Sequence, residues 1–241
     1  MNGLIALLGS GEYLSVMDDV DRYLLANCGA DAKTRKPRVV CLPTAAGDEG
    51  PKSISRWSSM GMEHFTRLGA DVQAVPVIDK ESANDLDHAS AVEEADLIYF
   101  SGGHPSYLYQ TMKDSLVWQA AQRAWARGAV YAGCSAGAMI LGREMPDFRA
   151  AGIRSTAAFG ILPIASVMPH FNAIPIFGKP LVATLRRRLR EGETMIGIDE
   201  DTAIVGKLNE EWTVMGKSQA HVFTKDEIWE YSAGEKFFLG K

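Results

Sequence analysis

Cysteine is scarce in this chain of 241 residues. Cys28, Cys41 and Cys134 are odd in number and far apart, so they suit a reducing compartment rather than a disulfide framework. Metal-ligand spacings such as H-x-H, H-E-x-x-H or C-x-x-C are missing, and no metal is expected. No apolar run approaches the roughly 18–20 residues that span a bilayer. Nothing basic precedes the apolar run of Met1-Asn2-Gly3-Leu4-Ile5-Ala6-Leu7-Leu8, so a cytoplasmic protein is expected rather than a secreted one. Basic residues are also in deficit: 25 Lys and Arg against 30 Asp and Glu give a net charge of −5. A nucleic-acid groove needs the opposite balance. Repeats and low-complexity linkers are lacking. The remaining composition, 46% hydrophobic and 23% charged, is that of a compact globular chain.

Short apolar runs alternate with longer amphipathic ones. Gly3–Leu8, Arg38–Leu42, Val72–Ile78, Leu97–Phe100 and Ala129–Ala132 read as buried strands. Between and after them, Leu14–Ala26, Ile54–Leu68, Leu116–Ala126 and Ala136–Leu141 carry apolar residues at helical spacing. Strands separated by helical stretches imply βαβ units and a parallel sheet with helices on both faces. Past residue 195 the runs shorten: Met195–Asp199, Ala203–Val205, Trp212–Met215 and His221–Phe223 read as an antiparallel flank on one edge of that sheet. One α/β domain spanning 1–241 is expected. Its chemistry should lie in the loops leaving the carboxyl ends of the parallel strands.

Gly133-Cys134-Ser135-Ala136-Gly137 is such a loop and matches G-x-S-x-G between a strand and a helix. A sharp strand-to-helix turn strains the nucleophile's backbone and leaves no room for side chains two residues to either side, which glycine supplies. Ser135 would then open a helix whose first amides favour developing negative charge. A serine nucleophile needs a base. His64 reads as a packing or surface residue, His88 as solvated, and His221 as part of a late hairpin. His104 follows a glycine loop and is a pocket candidate. His170 is the best base, because Ile161–Pro169 is a strand-like run that delivers it to the sheet's end and Pro169 fixes the chain before it. For the acid that orients the base, spacing leaves Asp199 and Glu200 both open, with Glu144 and Asp147 as outsiders. Ser101-Gly102-Gly103 can point a backbone amide into a pocket and, with the Ala136 amide, form an oxyanion hole. Gly9-Ser10-Gly11-Glu12 looks like half a dinucleotide loop, but Leu14 stands where the third glycine belongs.

Taken together, these segments resemble peptidase family S51, which includes dipeptidase E and cyanophycinase. The specific part is Ala132–Ala138, Pro169-His170-Phe171 and Ile196–Ala203, in that order. The resemblance implies a class I glutamine amidotransferase-like fold and a Ser-His-Glu triad of Ser135, His170 and Glu200. It also implies oxyanion donors at the amides of Gly103 and Ala136, and a homodimer. The order differs from α/β-hydrolases, where the acid precedes the histidine. Glutamine amidotransferases usually carry the acid two residues after the histidine, a place held here by Asn172. Cyanophycinase-like members have arginines soon after the histidine, whereas the first basic residue here is Lys179. Arg186, Arg187, Arg188 and Arg190 read as a solvated helix face. The first-residue specificity of dipeptidase E therefore does not carry over.

The expectation is a cytoplasmic serine hydrolase of amide or peptide bonds, acting on short peptides or other small amides without a cofactor. Gly102, His104 and Asn172 are substrate-binding candidates. Its rivals are a small-molecule esterase or amidase with the same triad, a non-catalytic ligand-binding member of the fold, and a Cys134 amidotransferase.

Overall fold

A computed structural model describes residues 3–29, 35–147, 154–174 and 179–240. The chain runs β1 (Ile5–Leu8), α1 (Asp18–Ala26), β2 (Arg38–Leu42), α2 (Pro51–Arg67), β3 (Asp71–Ala74), α3 (Leu86–Glu93) and β4 (Leu97–Phe100). It continues through α4 (Pro105–Met112), α5 (Leu116–Arg127), β5 (Val130–Cys134), α6 (Ala136–Met139), β6 (Glu144–Asp147) and β7 (Arg154–Ala157). The last stretch holds β8 (Ser166–Met168), α7 (Lys179–Arg187), β9 (Met195–Ile198), β10 (Thr202–Gly206), β11 (Glu211–Gly216), β12 (Gln219–Phe223), β13 (Ile228–Ser232) and β14 (Lys236–Phe238).

Eight strands form the large sheet in the order β14-β11-β10-β1-β5-β4-β2-β3. From β1 to β3 all neighbours are parallel, and β10, β11 and β14 extend the β1 edge antiparallel. Successive residues point to opposite faces of a strand. In β1, Ile5 and Leu7 join the core covered by α3, α4 and α5, while Ala6 and Leu8 join the core covered by α1 and α2. Burial on both faces explains why these strands are continuously apolar rather than alternating.

The C-terminal strands depart from the sequence expectation of a single flank. Thr202–Gly206 and Glu211–Gly216 do extend the large sheet, but Met195–Ile198 and Gln219–Phe223 belong to a second sheet ordered β13-β12-β9-β8. Met195–Ile198, Thr202–Gly206 and Gln219–Phe223 are almost wholly buried runs, so their apolar patterns do not say which sheet each joins. The switch occurs at Asp199-Glu200-Asp201, where Asp201 takes φ 55. Gly9 lies against this turn. A methyl group there would sit 2.1 Å from the Asp199 carbonyl oxygen, so only glycine lets the two strand ends meet.

Smaller differences have local causes. The third strand stops at Ala74 because Pro76 cannot donate to a ladder. The run before His170 pairs only over Ser166–Met168. Leu14–Ala26 divides into a tight turn at Ser15–Met17 and α1. Leu86–Glu93, which begins within the polar stretch Asn84–His88, forms α3, with the Asp85 side chain accepting the His88 N–H at its start. Among the described residues no helix is long and apolar enough to cross a membrane.

Candidate active site

Strand β5 lies centrally in the large sheet and ends at Cys134. Ser135 follows with φ 49 and ψ −104, a strained conformation for a residue with a side chain. Its N–H donates to the Leu8 carbonyl oxygen at 2.9 Å, which pins the turn to β1. A methyl group on Gly133 would sit 2.3 Å from the Gly137 carbonyl oxygen, and one on Gly137 would sit 2.6 Å from that of Phe100. The two glycines of the motif are therefore steric requirements of the turn. The helix after it, α6, has only four residues. Local amides, more than an extended macrodipole, act at Ser135.

His170 arrives from the second sheet, one residue past the Pro169 that follows β8. It takes φ 51, and its N–H donates to the Gly9 carbonyl oxygen at 3.2 Å. Its Nε2 lies 3.2 Å from Ser135 Oγ, and its Nδ1 lies 3.1 Å from Glu200 Oε1. With Glu200 accepting from Nδ1–H, Nε2 is left with a lone pair facing the serine hydroxyl.

The three carboxylates of the 199–201 turn face different ways. Asp199 is buried and is held by Ser218 Oγ at 2.7 Å and His221 Nε2 at 3.0 Å. Asp201 lies 3.8 Å from Lys217 Nζ. Glu200 alone reaches His170. Glu144 is 3.5 Å from Arg143, and the side chain of Asp147 lies outside the described residues, as do residues 175–178.

The Gly102 N–H donates to Glu12 Oε1 at 3.0 Å. No hydrogen bond among the described residues engages the Gly103 or Ala136 amide. Gly103 holds φ 145, and a methyl group there would sit 2.4 Å from the Ala45 carbonyl oxygen. His104 stands at the rim with Nδ1 2.8 Å from Asp48 Oδ2. The Asn172 side-chain oxygen accepts the Glu200 N–H. His64 is a core residue bonded to buried Asp21 at 2.8 Å. Arg186, on the helix face read as solvated, is partly buried and donates to the Thr224 carbonyl oxygen at 2.8 Å.

Cys134 is fully buried, and its thiol donates to Glu12 Oε2 at 2.9 Å. Burial first, and then the neighbouring Glu12, push its pKa well above the ordinary thiol value. Glu12 is the residue that sequence reasoning passed over. The Gly9-Ser10-Gly11-Glu12 loop is a joint: Gly9 contacts the acid's turn, Ser10 Oγ accepts the Asp201 N–H at 3.1 Å, and Glu12 lies beneath the Gly102 loop. Its position at the end of β1 was the available signal. Ser135, His170, Gly102, Gly103 and Glu12 line a cleft of about 760 Å³. Among the described residues no three His, Cys, Asp or Glu side chains are grouped to hold a metal.

The sequence profile of Peptidase family S51 matches residues 5–211. The chain is 30% identical over 173 residues to an uncharacterized peptidase, YgaJ, of Bacillus subtilis (strain 168), covering 70% of this chain and 68% of that one. It is 29% identical over 183 residues to a cyanophycinase of Geminocystis herdmanii (strain PCC 6308), covering 73% of this chain and 62% of the relative. Its fold superposes on the crystal structure of a peptidase from an acI-B1 Actinobacterium with a TM-score of 0.87, at 35% identity and over 99% and 98% of the two chains. The match begins in β1, where Gly9 and Glu12 follow, and ends in β11, beyond the turn that carries Glu200. Over that span the chain is a member of peptidase family S51, a serine-type peptidase.

Proposed function

We propose that the chain hydrolyses short peptides, dipeptides foremost, with Ser135 as nucleophile, His170 as base and Glu200 as the acid that orients it. The observation carrying this is the placement of His170 between the other two, 3.2 Å from Ser135 and 3.1 Å from Glu200. Ser135 Oγ attacks the scissile carbonyl while His170 Nε2 takes its proton. The oxyanion that forms is met by the Gly103 and Ala136 amides, a contribution of about 10²–10³ in rate for each donor. His170 then protonates the departing amine, and water releases the acyl group by the same steps. Glu200 keeps Nδ1–H directed and stabilises the imidazolium without taking the proton. Gly102 and the rim residue His104 complete the substrate's surroundings, and no cofactor takes part. The reading treats 1–241 as one working cytoplasmic unit. A hydrophobic core that joins residues of both sheets, Leu7 with Ile196 and Val222 among them, supports the single unit.

The test is a dipeptide panel of α-Asp-X, β-Asp-Arg and neutral pairs, read by mass spectrometry of released amino acids. Release by the wild type and none by Ser135→Ala is the expected result. Undiminished release by Ser135→Ala would overturn the assignment, as would silence on every pair together with no labelling of Ser135 by a phosphonofluoridate.

A further inference from the structure

Glu12 is a carboxyl side chain held almost wholly inside the protein at the floor of the cleft. It is 9% exposed, and its two contacts are the Gly102 N–H and the Cys134 thiol, one at each oxygen. No Lys, Arg or His side chain among the described residues pairs with it. A cation brought to a carboxyl group so enclosed would meet it with little water between them. Each carboxylate oxygen can accept two hydrogen bonds, so about two acceptor sites stay open after the contacts above.

The carboxyl group itself lies near Ser135. A methyl group on Gly102 would sit 2.7 Å from Glu12 Oε1 and 3.2 Å from Ser135 Cβ. Glu12 and Ser135 also line the same cleft. In a peptide's first residue the α-nitrogen is about 2.5 Å from the carbonyl carbon, and that carbon must come within about 3–3.5 Å of Ser135 Oγ for attack. An α-ammonium therefore has to lodge within a few Å of the serine, where Glu12 waits.

We propose that Glu12 binds the free α-ammonium group of the substrate, which makes this chain an exopeptidase that removes a peptide's first residue. The inference rests on the function proposed above and names its substrate class. The rest of the cleft agrees with it. Among the described residues no Lys or Arg lines it, and the His104 side chain at its rim is tied to Asp48. An acidic first side chain finds no cation there, while Trp57, Met139, Met145 and Pro146 offer apolar wall to a neutral one. The class is a short peptide with a free amino terminus and an uncharged, apolar first residue.

The probes are Leu-Ala and N-acetyl-Leu-Ala, tested on the wild type and on Glu12→Gln. Glutamine keeps the shape and an acceptor for Gly102 while removing the charge. The wild type should prefer Leu-Ala by about 100-fold or more in kcat/KM, the scale of a buried charge contact. Glu12→Gln should lose most of that preference, with kcat/KM falling far more on Leu-Ala, mostly through KM, than on N-acetyl-Leu-Ala. Equal wild-type rates on the two probes would overturn the proposal, and so would a Glu12→Gln variant slowed equally on both, the mark of a loop support. Calorimetry on Ser135→Ala provides a second reading independent of turnover. Binding of Leu-Ala but not of its acetylated form supports the proposal, and no binding of Leu-Ala refutes it. Failure of the parent reading is separate: hydrolysis of both probes would then be unaffected by Ser135→Ala.

Discussion

The side-chain oxygen of Asn172 accepts the backbone N–H of Glu200 at 2.9 Å. Asn172 follows the base by two residues, so this bond ties the acid's turn to the base's turn from behind. A side chain so engaged is placed to hold His170 and Glu200 at their distance. Asn172→Ala should lower kcat about tenfold, the worth of one such hydrogen bond, with KM nearly unchanged. A rise in KM at constant kcat would show instead that Asn172 binds substrate. Steady-state kinetics on one cleaved dipeptide separates the two.

Glu200→Gln should cost about 10³–10⁴ in kcat, by analogy with the loss of the acid in other triads. Glu144→Gln is the control. Its carboxylate faces Arg143, and the variant should keep wild-type rates. The reverse outcome would assign the acid to Glu144.

Thiol reagents should leave the enzyme working. All three cysteines are buried; burial pushes Cys41 up to about 12 and, with Glu12, holds Cys134 well above its ordinary value. At those two positions the reactive thiolate is thus scarce near neutral pH. Treatment with N-ethylmaleimide at pH 7.5 should change the rate by less than about twofold. Stoichiometric inactivation that substrate prevents would revive a cysteine nucleophile.

Asp96 gives the fold a pH-dependent component away from the site. Burial works against its charged form. Hydrogen bonds from the Arg35 guanidinium and the Arg38 N–H outweigh this and hold the carboxyl below its ordinary value. With the folded-state pKa depressed, the stabilisation is present above the unfolded value of about 3.9 and is lost as pH falls through the folded value. In urea denaturation, Asp96→Asn should be less stable than wild type by about 1–2 kcal/mol at pH 7. The gap should close under strongly acidic conditions. A gap that persists unchanged would mean that packing, not charge, is responsible.

What could be read in advance was what local sterics demand. Ser135 with its two glycines, and His170 behind Pro169, declare themselves because a strained turn and a fixed φ need those residues at those places. The acid does not. Asp199, Glu200 and Asp201 are equivalent until the strand before them and the strand after them join different sheets, which turns one inward, one toward His170 and one toward Lys217. Glu12 was hidden for a related reason. Its meaning depends on β1 lying beside β5, and on the Gly102 N–H reaching its carboxyl group, neither of which leaves a mark in Gly9-Ser10-Gly11. The division of the last strands between two sheets was equally silent, since a run buried on both faces carries no record of its neighbour.

Gly9 touches all of this at one point. Ser135 stands at the end of a large-sheet strand, His170 just past a small-sheet strand, and Glu200 on the link between the sheets, with Gly9 wedged against that link. Neither sheet carries Ser135, His170 and Glu200 by itself, so the three come together only where both sheets are formed and joined.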